Sequence, residues 1–134
     1  MPKTLYTEKR KGKSVKIYVD AGTKGNRICL VDGKKEIVKR RKGKLSNNEL
    51  EYLAMIFGLE YAIHHYPRED IRLYSDSKLV VKHLLGEWKV TKMHLAPLYV
   101  KAFRLIKKHG SIRLIWTPRQ FNLAGIILEE LLDK

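Results

Sequence analysis

The regular part of the chain begins with an apolar, β-rich run from Val15 to Val19 that ends in a single acidic residue, Asp20, followed by a loop holding Gly22, Gly25 and Asn26. Two further strand-like runs, Arg27 to Val31 and Glu36 to Arg41, are set off by turn signals at Gly25 and Asp32-Gly33, so the pattern predicts an antiparallel meander. At Ser46 the period changes. Ser46 and Glu49 make an S-x-x-E capping box, and Leu50, Leu53, Ala54, Phe57 and Tyr61 recur at helical spacing, which predicts a helix to about His65, stopped by Pro67. Ile71 to Tyr74 then reads as a short buried strand ending at Ser75-Asp76-Ser77, and Lys78 to Leu85 as an amphipathic helix closed by Gly86. Leu95 to Lys108 is a further helix that tolerates Pro97 in its first turn and ends at His109-Gly110. Ile112 to Trp116 is a last strand; after the loop Thr117 to Asn122 comes a terminal helix with Ala124, Ile127, Leu128 and Leu131 on one face.

Strand, helix and strand alternate from Ile71 onward, which implies parallel pairing and places Asp76 at a carboxyl end of the sheet, where α/β sites form. Asp20 also ends a strand, so the two carboxylates are candidate neighbours. Glu51 stands one position from Leu50, on the edge of the apolar helix face, and can reach inward. A lone acid after a strand is ordinarily a turn residue; it is the set of three that suggests a metal site. His64 and His65 are adjacent on a helix and point about 100° apart, which suits the C-terminal end of the helix dipole better than a shared metal. Cys29 sits in an apolar stretch as core filler, with no disulfide partner.

The 134 residues fit one domain, and 44% apolar residues suffice for a core. Charge changes the picture more. Twenty-eight Lys and Arg against 14 Asp and Glu leave a formal net charge of +14, more than solubility needs, and point to a polyanionic partner, nucleic acid first. No apolar run approaches the ~20 residues of a spanning helix and no signal peptide is evident, so no membrane association and a cytoplasmic location are expected. Residues 1–14 are basic and lack a sustained period, which predicts an N-terminal arm ahead of a domain over 15–134. The charge run Val38 to Lys44 suits a guarded edge strand as well as it suits binding. Nothing in the sequence calls for an obligate protein partner, so a monomer is expected.

Four separated motifs, YVDAGTKGN, SNNELEYLA, LYSDSKLVV and WTPRQFNLAG, stand in an order and on elements that resemble a type 1 ribonuclease H, from Val15 to Leu132. The resemblance implies a mixed five-stranded α/β sheet, three antiparallel strands then two parallel, flanked by helices. It implies endonucleolytic hydrolysis of the RNA strand of an RNA·DNA hybrid with Mg2+ or Mn2+, leaving 5′-phosphate ends. By position, Asp20, Glu51 and Asp76 would hold metal, while Asn26, Asn47 and Asn48 would contact the minor groove. The chemistry fits these residue types. Carboxylate oxygens clamp hard cations, two of them about 4 Å apart in such sites, which neutralise the charge developing on a phosphodiester. Amides can both donate to and accept from the 2′-hydroxyl that separates RNA from DNA.

The chain departs from the family in four places. Asn122 is followed by Leu123, Ala124, Gly125 and Ile126 where a fourth Asp is usual. Arg119 stands in the loop that carries a His in some members, no basic protrusion follows Gly86-Glu87-Trp88, and Arg27-Ile28 replaces a glycine-proline-rich turn. Scattered cations would then supply grip, with Arg119 as a substrate contact and Trp88 as a packing residue or a stacking platform. If Gly125 or Ile126 takes the fourth position, Glu129 follows four or three residues on, on the same helix face, and is the candidate to reach back toward the second metal; Glu130 qualifies only in the second register. The alternative reading is a weak or inactive module that binds hybrid or double-stranded RNA.

Overall fold

The structure, a computed structural model, describes residues 14–33 and 35–132. In chain order it contains β1 (Ser14–Gly22), β2 (Arg27–Asp32), β3 (Lys35–Arg40), α1 (Asn47–His65), β4 (Asp70–Ser75), α2 (Lys78–Leu84), α3 (Ala96–His109), β5 (Ile112–Trp116) and α4 (Leu123–Leu132). The strands form one sheet in the order β3-β2-β1-β4-β5. β1 pairs antiparallel with β2, and β2 with β3; β1 pairs parallel with β4, and β4 with β5. This is the mixed five-stranded sheet that the family resemblance implies. The basic arm expected over 1–14 lies outside the described residues except for Ser14, which opens β1 opposite Asp70.

Local sequence accounts for the elements. Ser46 caps α1 with both halves of the box in place: Glu49 N–H donates to Ser46 Oγ at 3.1 Å and Ser46 N–H to Glu49 Oε1 at 2.9 Å. His64 and His65 are exposed in the last turn of α1, and the His65 ring donates to the Tyr61 carbonyl at 3.2 Å, as befits helix-end residues. A short 3-10 turn, Met93–Leu95, leads into α3, so that helix starts at Ala96 instead of Leu95 and carries Pro97 in its first turn. Gly110 ends it in the left-handed region, φ 83°, where glycine has no Cβ to clash.

The main core lies between one sheet face and α1, α2 and α3. Ile17 and Val19 of β1, Ile28 and Leu30 of β2 and Leu73 of β4 are buried there against Leu50, Met55, Leu59 and Ile106. α1 packs directly on the sheet at Gly58, where a Cβ would stand 2.7 Å from Val19 Cγ1. The opposite face is covered over β1 and β2 by α4, through Ala124 and Leu128 packed on Cys29 and Val31, with Ile127 and Leu131 partly buried beside them. Cys29 is thus core, and burial pushes its thiol up to about 12. Because β1, β4 and β5 run parallel, their carboxyl ends share one edge of the sheet, to which α1 and α4 also bring their N-terminal turns. No helix among the described residues is long and apolar enough to cross a membrane.

Candidate active site

Asp20 sits inside β1, two residues before its end, on the α4 side of the sheet, and is only 5% exposed. Asp76 follows β4 directly. Each carboxyl has one buried oxygen, Asp20 Oδ2 and Asp76 Oδ2, with no hydrogen-bond donor. Burial and then the negative charge of Asp76 push the Asp20 carboxyl up to about 7, against the opposing pull of the Ala21 backbone N–H and the Arg119 charge. Glu51, on the second turn of α1, is raised by burial and by Asp76 and lowered by a hydrogen bond from Ser77 and by Arg119. Its Oε1 accepts from Asn47 Nδ2 at 3.1 Å. The three carboxylates named from the sequence therefore converge on one end of the sheet.

That cluster suits a hard cation in a specific respect. Two buried carboxylate oxygens without donors, on carboxyls that repel one another, are relieved by a bound cation or, on Asp20, by a retained proton. Among the described residues, no three His, Cys, Asp or Glu side chains are already drawn round one ion position.

The fourth position is resolved by α4. Buried Asn122 donates from Nδ2 to the Val19 carbonyl at 3.0 Å and accepts from Ala124 N–H at 3.1 Å, pinning the start of the helix against β1. Gly125 is then buried against Asp20, and a Cβ there would stand 3.0 Å from Asp20 Oδ2; Ile126 points to solvent. Gly125, not Ile126, thus faces the carboxylates, with no side chain to contribute. Glu129 is exposed and accepts from Arg119 Nε at 3.1 Å, an ion pair that the sequence reading, which aimed Glu129 at the metal, did not contain. Glu130 is exposed as well.

The remaining candidates divide. Asn47 is bonded to Glu51, and Asn48 is half-buried in the first turn of α1. Asn26 has a left-handed backbone, φ 48°, and its side chain donates to the Gly43 carbonyl at 2.7 Å. Trp88 lies beyond α2 with about half of its side chain exposed, and its backbone N–H donates to the Lys82 carbonyl. Trp116 was missed. It stands opposite Ser75 at the end of β5, its indole N–H donates to the Asp76 carbonyl at 3.1 Å, and Lys78 Nζ lies 4.8 Å from its ring centre. The available signal was its place at a strand's carboxyl end, beside the acid.

A family model described as reverse transcriptase-like matches residues 12–128. Ribonuclease HI of Halobacterium salinarum is 31% identical over 140 residues, covering 97% of this chain and 70% of that protein. A crystal structure of RNase H1 from the same organism superposes with a TM-score of 0.74 at 30% identity, covering 90% of this chain and 98% of that one. The bifunctional protein Rv2228c of Mycobacterium tuberculosis is 37% identical over 84 residues, 63% of this chain, and the match spans only 23% of that protein's length. An RNase H1 crystallised with an RNA/DNA hybrid shares the fold at 22% identity and a TM-score of 0.71, over 88% of this chain and 99% of that one.

Proposed function

Because the chain belongs to the type 1 ribonuclease H family, we propose that it hydrolyses the RNA strand of RNA·DNA hybrids, with Mg2+ or Mn2+ held by Asp20, Asp76 and Glu51. The observation that carries this is the pair of buried, donorless oxygens on Asp20 and Asp76. The bound ions would neutralise charge on the scissile phosphodiester and activate water. The protein's own residues do the rest. Asn47 and Ser77 orient Glu51 toward the acidic pair, Trp116 anchors the Asp76 backbone, and Asn122 holds α4 so that Gly125 packs beside Asp20 with no Cβ against its Oδ2. Arg119, held by Glu129 within the field of Asp20 and Asp76, is placed to meet a substrate phosphate.

Incubation with hybrid, RNA duplex and DNA duplex in Mg2+ or Mn2+ tests the reading: cleavage confined to the hybrid is expected, and equal cleavage of a duplex contradicts it. Asn47→Ala/Asn48→Ala should lower the preference for hybrid over DNA duplex about tenfold or more, since amides that read the 2′-hydroxyl are lost while phosphate contacts remain. An unchanged preference would leave both as helix-start residues. For Glu129, the geometry points to action through Arg119. Glu129→Gln and Arg119→Gln should each slow cleavage several-fold, the double variant should be no slower than Arg119→Gln alone, and Glu130→Gln should be neutral. If Glu129 reaches metal instead, the losses would multiply and Mn2+ would partly rescue Glu129→Gln.

The side-chain gap at Gly125 favours one competing reading, a hybrid-binding module with little activity. Binding without cleavage is its signature.

A further inference from the structure

We infer that the 22–27 turn, the end of β3 and the loop after it form one phosphate-binding ridge, Lys24, Arg27, Arg40, Arg41 and Lys42, that grips the nucleic-acid backbone beside the carboxylates. The inference rests on the reading that the carboxylate end engages a hybrid.

Arg27 and Arg40 are direct cross-strand neighbours, a like-charge opposition that costs stability in an antiparallel pair. Gly25 lies between them. A Cβ there would stand 3.6 Å from Arg27 Nε and 3.8 Å from Arg40 Cζ, so both guanidinium groups gather at one spot over the turn. Asn26 locks the arrangement. Its side chain donates to the Gly43 carbonyl at 2.7 Å and its own carbonyl accepts from Arg41 N–H at 2.7 Å, stitching the turn to the 41–43 segment. Asn26 thus builds the surface, in addition to any contact of its own. None of the five cations is in an ion pair with a described residue.

The ridge is continuous with the site. A cavity of about 310 Å3, lined by Lys24, Arg27, Asn47 and Arg119 among others, joins it to the carboxylate edge. A second groove of about 540 Å3 is lined by Arg40, Arg41 and Lys42 together with Glu49, whose carboxylate accepts from the Ser46 N–H. Opposed cations held by a rigid turn and facing open grooves are complementary to closely spaced phosphates, whose charge relieves their repulsion. The ridge lies on the β2–β3 side, away from the segment after α2 where the chain has no protrusion. It supplies that grip from a different edge.

The test is equilibrium binding of a fluorescent hybrid to the Asp76→Asn protein at several salt concentrations, so the result does not depend on cleavage. Arg27→Gln/Arg40→Gln should weaken binding at least tenfold and reduce the slope of log K against log salt by about two, while its melting temperature holds or rises. Arg104→Gln/Lys108→Gln, which removes the same charge from the exposed side of α3, should change affinity less than twofold. Lys24→Gln/Lys42→Gln, away from the strand pairing, should reproduce the loss if the first variant folds poorly. Equal losses on the two surfaces would show a general charge effect and overturn the ridge, as would an unchanged slope in the ridge variants. Tight ridge-dependent binding by a protein that never cleaves would sink the proposed activity and leave the ridge standing.

Discussion

Asp20→Asn and Asp76→Asn are expected to reduce hybrid cleavage by on the order of a thousandfold, while the metal-free protein becomes more heat-stable, not less. Both effects have one cause. Two carboxyls placed to share a cation repel each other and are poorly solvated without it, so neutralising either removes a ligand and a strain together. The pH dependence follows. The folded-state pKa of Asp20, about 7, lies above its ordinary value of 3.8, so between those pH values the native protein retains a proton that the unfolded chain has released. The stability contributed by this proton is fully present below the lower value and is lost as pH rises through the upper one. In chelator, the melting-temperature advantage of Asp20→Asn over wild type should therefore grow from pH 4 to pH 7.5, by several degrees for a difference on the order of 2 kcal/mol. A variant that melts lower than wild type, with no pH trend, would mean that the pair is not strained. Retained cleavage by either Asn variant would remove both residues from the catalytic set.

Hybrid binding should fall by about a thousandfold or more between roughly 50 and 200 mM salt, as expected for about six or more phosphates neutralised. The net charge of +14 supplies the cations, and the ridge at the carboxylate edge concentrates them. Measured on the Asp76→Asn protein, this slope reports phosphate contacts alone. A flat response would place the charge excess elsewhere in the protein's function.

The order of elements was legible because strong local signals agreed with the fold. The capping box at Ser46 and Glu49, the left-handed stop at Gly110 and the apolar run from Ile112 are each local, and tertiary structure did not override them. Asp20, Glu51 and Asp76 could be brought together on paper because strand polarity and helix face are properties of sequence period. What escaped were relations between distant positions. The Arg119 to Glu129 ion pair spans a loop and most of a helical turn pair, the Asn26 bond to Gly43 crosses a whole hairpin, and Trp116 reaches Asp76 from an adjacent strand. The register of α4 was ambiguous for the same reason. Only the buried amide of Asn122, bonded across to Val19, decides that Gly125 meets Asp20.

The most direct measurement labels a hybrid on its RNA strand in one sample and on its DNA strand in another. Each is incubated with the wild-type protein in Mg2+ or Mn2+, with and without chelator, and with Asp20→Asn. The result expected is cleavage of the RNA strand alone, leaving 5′-phosphate ends, abolished by chelator and by the substitution. A protein that binds the hybrid tightly and leaves both strands intact, or that cleaves in excess chelator, would contradict it.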